Sequence, residues 1–165
     1  AEVRMTHSNR NQRSDAVTMA WRFTEQVPHG KDLDMQVISL NGTQVCMRLA
    51  PQPWMFTDDN TKELCTSVLY SLADSASGLA VFAEAKDLSP IATLDLRMDY
   101  LRVATGNCAL LAIATCRHLT DEVAFIHCDI LSEDSGELLA TANATFMRNT
   151  QGQRFQSGHR AEGGA

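Results

Sequence analysis

The connections in the C-terminal half of the chain restrict its fold more than any other feature of the sequence. Alternation of apolar and polar side chains marks Ile91–Arg102, Asn107–His118, Val123–Leu131 and Leu138–Arg148 as strands, separated by turn-forming stretches such as ATGN, LTDE and SEDSGE. A parallel crossover needs about a dozen residues or more. The strands are therefore expected to run antiparallel, as a meander.

Two further strands precede them. MQVISL and TQVCMRL flank Asn41-Gly42, a dipeptide that takes positive φ at both central positions and so closes a two-residue hairpin. Pro51 and Pro53 break the second strand, and WMFTDDNTKEL reads as a loop with room for a short helical turn.

Between the hairpin and the four strands the period changes. From about Thr66 to Glu84, the residues Val68, Leu69, Leu72, Ala76, Leu79, Ala80 and Ala83 recur at helical spacing, and the stretch CTSVLYSLADSASGLAVF carries a single acid, Asp74. A helix with so little charge is expected to be buried. A carboxylate held between Leu72 and Leu79 needs a partner or a task, because desolvating it alone is costly. Upstream, Ser14 is placed to cap a helix in which Ala16, Met19, Ala20, Phe23 and Val27 repeat, ended by Pro28. Residues 1–13 and 149–165 are polar and read as flexible ends around one domain, 14–148. Helix, hairpin, long buried helix and four strands make an α+β domain, with an antiparallel sheet around a central helix.

Composition removes several function classes. At 165 residues the chain suits one domain. Its formal charge of -6 repels phosphate backbones, so nucleic acid is not expected as a partner. No apolar run approaches membrane-spanning length, and AEVRMTHSNRNQRSD has no hydrophobic signal region. A soluble, cytoplasmic protein with no membrane partner is expected. The five cysteines form no C-x-x-C pair and the five histidines no H-x-x-x-H spacing. Reduced thiols and no metal follow.

LADSASGLAVF, TLDLRMDYLRVA and ELLATANATF resemble the phenylacetic-acid-degradation branch of the hotdog-fold acyl-CoA thioesterases, over roughly Asp32 to Met147. In that family the central helix opens with His-Gly-Gly and carries an acid two turns later in an L-A-D-T/S-A pattern. The resemblance makes Asp74 the catalytic aspartate, as nucleophile or as general base for water. It also implies a homodimer or homotetramer in which the start of one central helix faces the aspartate of a partner chain. Where the family has His-Gly-Gly this chain has Cys65-Thr66-Ser67. The Thr66 N–H at the helix start can still steady an oxyanion.

The resemblance fills out the rest of a site. Thr93 falls where some relatives hold the attacking water with a serine. Alternation, however, groups it with Asp95, Arg97 and Asp99, opposite Ala92, Leu94, Leu96 and Met98, so it would look into an intersubunit cleft. Cys65 and Ser67 flank the substrate, and Tyr70 or Phe82 would limit the depth of the acyl pocket. A nucleophilic Cys65 lacks a neighbouring histidine base in the sequence. Arg102 and Arg117 are the candidates to hold the phosphates of coenzyme A, with His118 as an assistant. His127 is expected on a sheet face without catalytic work. The family's asparagine before the helix corresponds to Asp59 or Asn60. The expected activity is acyl-CoA hydrolysis with no cofactor, coenzyme A being part of the substrate. The rivals are a hotdog protein that binds acyl-CoA without turnover and, last, a hydratase or dehydratase, which would need an imidazole or second acid near Asp74.

Overall fold

A computed structural model describes residues 27–58, 60–106 and 108–150. The helix expected from Ser14 lies outside them. Pro28, the expected end of that helix, opens a short helix of its own, α1 (Pro28–Asp32), at its first turn. Proline suits that position because its φ is already helical and its missing N–H would have no partner there. A hairpin follows, β1 (Gln36–Asn41) and β2 (Gln44–Leu49), then a 3-10 turn at Pro53–Met55 and the central helix α2 (Thr66–Ala85). Four strands complete the domain: β3 (Ala92–Tyr100), β4 (Leu110–Leu119), β5 (Val123–Ser132) and β6 (Leu138–Met147).

The hairpin is as expected, but its turn is displaced by one residue. Asn41 pairs with Gln44 inside the ladder, leaving Gly42 and Thr43 as the loop. Gly42 has φ of +60° and Thr43 is not among the positive-φ residues. This is the glycine-first pattern of a type II′ turn rather than the doubly positive type I′.

All neighbouring strands pair antiparallel in the order β1-β2-β4-β5-β6-β3. The meander holds for β4, β5 and β6 and fails for β3, which pairs with β6 at the far edge instead of with β4. The expected strands Ile91–Arg102 and Asn107–His118 are joined by ATGN as a turn, whereas β3 stops at Tyr100 and β4 begins at Leu110. The intervening residues 101–109 reach roughly 30 Å when extended, ample for the three inter-strand spacings, about 14 Å, that separate β3 from β4. Along the way, Leu101 and Arg102 donate their N–H groups to Leu139 O, Ala104 O accepts from Leu64 and Ala109 O accepts from Glu133. The connector thus crosses the end of the sheet beside the start of α2.

Helix α2 packs mainly over β4, β2 and β5. Across the sheet, the buried row Met47, Ala112, Ile130, Ala140 alternates large and small side chains, and so does Val45, Ala114, Cys128, Ala142. The alanines leave furrows into which Leu69, Leu72 and Leu79 of α2, all fully buried, can settle. Each leucine contributes about 2–3 kcal/mol by leaving water. The same dryness pushes the Cys128 thiol up to about 12. Lys86 ends the helix in the left-handed region, its N–H bonded to Phe82 O.

Candidate active site

The start of α2 is pinned by backbone contacts and left without a side-chain cap. Cys65, the N-cap, donates its N–H to Met55 O at 2.8 Å, and Leu64 donates to Ala104 O at 2.8 Å. Cys65 O accepts from Val68. Thr66 and Ser67 are exposed, the first turn holds no acid, and among the described residues nothing accepts their N–H groups. Free N–H groups at the positive end of a helix dipole suit a developing negative charge. From the β3 side, Tyr100 Oη donates to Thr66 O at 3.3 Å.

Further along, Ser67, Ser71 and Asp74 fall at i, i+4 and i+7 and share one stripe of α2, facing away from the buried leucines. Asp74 is half-buried rather than enclosed, and Thr93 Oγ1 donates to its Oδ1 at 2.9 Å. Simple alternation would forbid that bond, and a β-bulge permits it. Thr93 pairs with Phe146 and Asp95 with Thr145, leaving Leu94 as the extra residue. The bulge reverses the parity of the strand. Thr93 therefore shares the helix-facing side with Phe146, while Asp95, Arg97 and Asp99 face outward, correcting the grouping read from the sequence. Tyr70, exposed beside Asp74 on the helix, donates through Oη to Leu96 O at 3.4 Å.

Other expected members of the site lie apart. Arg102 is near the helix start but engaged, with Nε 2.6 Å from Glu137 Oε1 and Nη1 donating to Leu138 O at 3.1 Å. Arg117 is exposed at a bulge between Cys116 and His118. Cys116 donates its N–H to Thr43 O, in the β1–β2 turn. That is the opposite end of the sheet, roughly 20 Å along β4 from its first residue. Both arginines of one chain therefore cannot grip one phosphate cluster. His118 stacks at a tilt beside Phe125. His127 lies on the outer face, bonded to Asn143 and Asp129. Asn60 donates its backbone N–H to Asp58 Oδ1, and Asp59 lies outside the described residues. Phe82 packs against the core.

One imidazole that no spacing pattern assigns to the site reaches the stripe: His29 Nε2 is 2.9 Å from Ser71 Oγ. A polar cleft of about 200 Å³ also opens under the connector, among Leu64, Ala104, Cys108, Ser132 and Glu137; it does not include Asp74. Among the described residues no three His, Cys, Asp or Glu side chains are grouped to hold a metal ion, and no helix is long and apolar enough to cross a membrane.

Residues 66–139 match the thioesterase superfamily model. The span runs from the first residue of α2 into β6 and includes Asp74 and Thr93. No curated protein gives a match. Among solved structures, a variant of the phenylacetic acid degradation protein PaaI from Thermus thermophilus is 26% identical. It covers 73% of this chain and 98% of its own, with a TM-score of 0.64. The PaaI protein of the E. coli phenylacetic acid degradation operon is 19% identical over 82% of this chain and 94% of its own, TM-score 0.73. Zebrafish thioesterase superfamily member 2 is 18% identical over 81% and 97%, TM-score 0.70; these last two show the fold alone. Over α2 and the strands that follow it the chain is similar to the thioesterase superfamily, and its fold is the hotdog fold of these PaaI-like structures.

Proposed function

We propose that the protein hydrolyses an acyl-CoA thioester at a site shared by two copies of the chain. The Thr93–Asp74 hydrogen bond at 2.9 Å is the observation that carries this reading. It leaves the second carboxylate oxygen of Asp74 to take a proton from water and fixes the first, while the threonine oxygen can accept from the same water. Water adds to the thioester carbonyl, the oxyanion is steadied by the Thr66 N–H, and the C–S bond breaks to release coenzyme A as the thiol. The reaction uses no cofactor.

The geometry of one helix argues for two chains. Thr66 and Asp74 are eight residues apart, about 12 Å along the axis, whereas a base-held water and an oxyanion donor must each lie about 3 Å from one carbonyl. Only the helix start of a second copy can meet this Asp74. The edge strand β3, which pairs on one side only among the described residues, would seat that copy. Leu94, Leu101 and Val103 expose 52%, 49% and 62% of their surface on and beyond this strand. An unpaired edge flanked by apolar side chains is a template for a two-fold partner. A dimer is the minimum, and a tetramer would follow from the family resemblance. Cys65, Ser67 and Tyr70 then border the acyl group. Arg102 would serve coenzyme A by releasing Glu137, and Arg117 could act only from a different chain.

The Asp74→Asn variant keeps the shape of the side chain and removes the base. In a thiol-release assay across short, medium, long and aryl acyl-CoAs it should lose activity by orders of magnitude while its circular dichroism is unchanged. Hydrolysis at the wild-type rate would refute the mechanism. A second reading, binding of acyl-CoA without turnover, is favoured by Thr66 and Ser67, whose side chains stand where the carbonyl would approach the helix. Calorimetry with the same panel separates the two, since a pure binder gives heat of binding and no thiol.

A further inference from the structure

The stripe carrying Asp74 is approached from two sides. Thr93 reaches it from β3, and His29 reaches it from α1, with Nε2 2.9 Å from Ser71 Oγ. The imidazole is held by its own element. Gly30 beside it is buried, Leu33 and Met35 just beyond belong to the core, and His29 O accepts the Leu33 N–H at 3.2 Å. Ser71 precedes Asp74 by one helical turn, which sets their Cβ atoms about 5–6 Å apart. Imidazole, hydroxyl and carboxylate thus lie in sequence along this stripe, spanning about the length of a thioester and its nearest substituents. The ionisable side chains nearest in the chain are Lys31 and Asp32 of α1 and Tyr70 and Asp74 of α2.

We propose that His29 and Ser71 form a proton relay to the departing sulfur in the hydrolysis described above, on which this inference rests. Asp74 takes a proton from water as the water oxygen bonds to the carbonyl carbon. When the C–S bond breaks, its electron pair leaves on sulfur, away from the attacking oxygen and hence from Asp74. The Ser71 hydroxyl gives its proton to that thiolate and recovers one from the His29 imidazolium. The carboxylic acid product loses a proton to solvent, and His29 is reprotonated by Asp74 through solvent, which leaves both groups as they began. Capturing the thiolate as thiol prevents its return to the acyl carbon, and imidazole is the side chain that exchanges protons near neutrality.

The test uses the full-length chain with the acyl-CoA that the wild type hydrolyses fastest in the panel. His29→Ala should lower kcat roughly 10²-fold with KM changed less than about twofold, and free imidazole in the buffer should restore part of the rate. His29→Gln keeps a hydrogen bond to Ser71 but cannot deliver a proton, so it should remain slow. Ser71→Ala should be slow and not rescued by imidazole. Wild-type rates in His29→Ala overturn the proposal. So does a slow His29→Ala that imidazole leaves unchanged while His29→Gln is fast, the signature of a structural contact. A wild type inert on every acyl-CoA removes the hydrolase reading and this relay together. An active wild type that needs Asp74 but not His29 removes the relay alone.

Discussion

The two faces of α2 are built from different chemistry. Toward the sheet it presents Val68, Leu69, Leu72, Ala76, Leu79 and Ala80, all buried. Away from it, the first half of the helix presents Ser67, Ser71 and Asp74, with Thr93 and His29 bonded to the last two. One face excludes water and contributes stability; the other meets water and offers hydroxyls, a carboxylate and an imidazole. The lesson is that half a turn of rotation separates the residues that keep the domain folded from those that give it chemistry. Changes on one face should leave the other's property intact.

The largest effect is expected on the outer face. Asp74→Asn should reduce kcat by about 10²–10⁴-fold with no change in the urea midpoint, because the amide oxygen can still accept from Thr93. An equal loss of stability would mean that the carboxylate belongs to the core. On the inner face, Leu72→Ala removes a fully buried side chain and should cost about 2–5 kcal/mol in urea unfolding. The activity per folded molecule should stay near wild type, and a kcat loss comparable to that of Asp74→Asn would blur the separation. Thr93→Val deletes one hydroxyl bonded to a charged group and should slow hydrolysis about tenfold, with KM little moved. The smallest effect concerns the sheet beneath the inner face. The thiol of Cys128 is raised by burial from 9.0 to about 12, so the folded chain keeps its proton where the unfolded chain loses it. Its contribution is complete below about pH 9 and falls as pH rises toward 12. By pH 10 the loss should be about 1 kcal/mol, and the Cys128→Ala variant should show a shallower decline.

The inner face was readable from the sequence because periodicity is a local property. Leu72 and Leu79 repeat at helical spacing whatever lies above them, and alternation in β4 through β6 gave their extents within a few residues. The hairpin was legible for the same reason, although Gly42-Thr43 rather than Asn41-Gly42 forms its loop. The position of β3 was not, because strand pattern gives no partner, and a nine-residue connector that could have closed a turn instead crosses the sheet end. Asp74 stood out as an isolated acid, and its partner Thr93 came from the family resemblance. Alternation alone argued against that contact because the bulge at Leu94 has no sequence signature. His29 went unnoticed for a plainer reason: it is 42 residues from Ser71, and no spacing rule links them. Arg102 and Arg117 looked alike as exposed cations, and only the fold separates them to opposite ends.

The central claim is that Asp74 of one chain works with the helix start of another, and mixing two disabled variants tests it most directly. Asp74→Asn removes the base. Thr66→Pro removes the first N–H while suiting the first helical position, and Cys65 already has the extended backbone a following proline requires. Each variant alone should be nearly inactive. After unfolding and refolding together in equal amounts, half of the dimers are mixed and each mixed dimer has one intact site, so activity should return to about a quarter of wild type. Mixed dimers that form and remain as inactive as their parents would contradict the shared site.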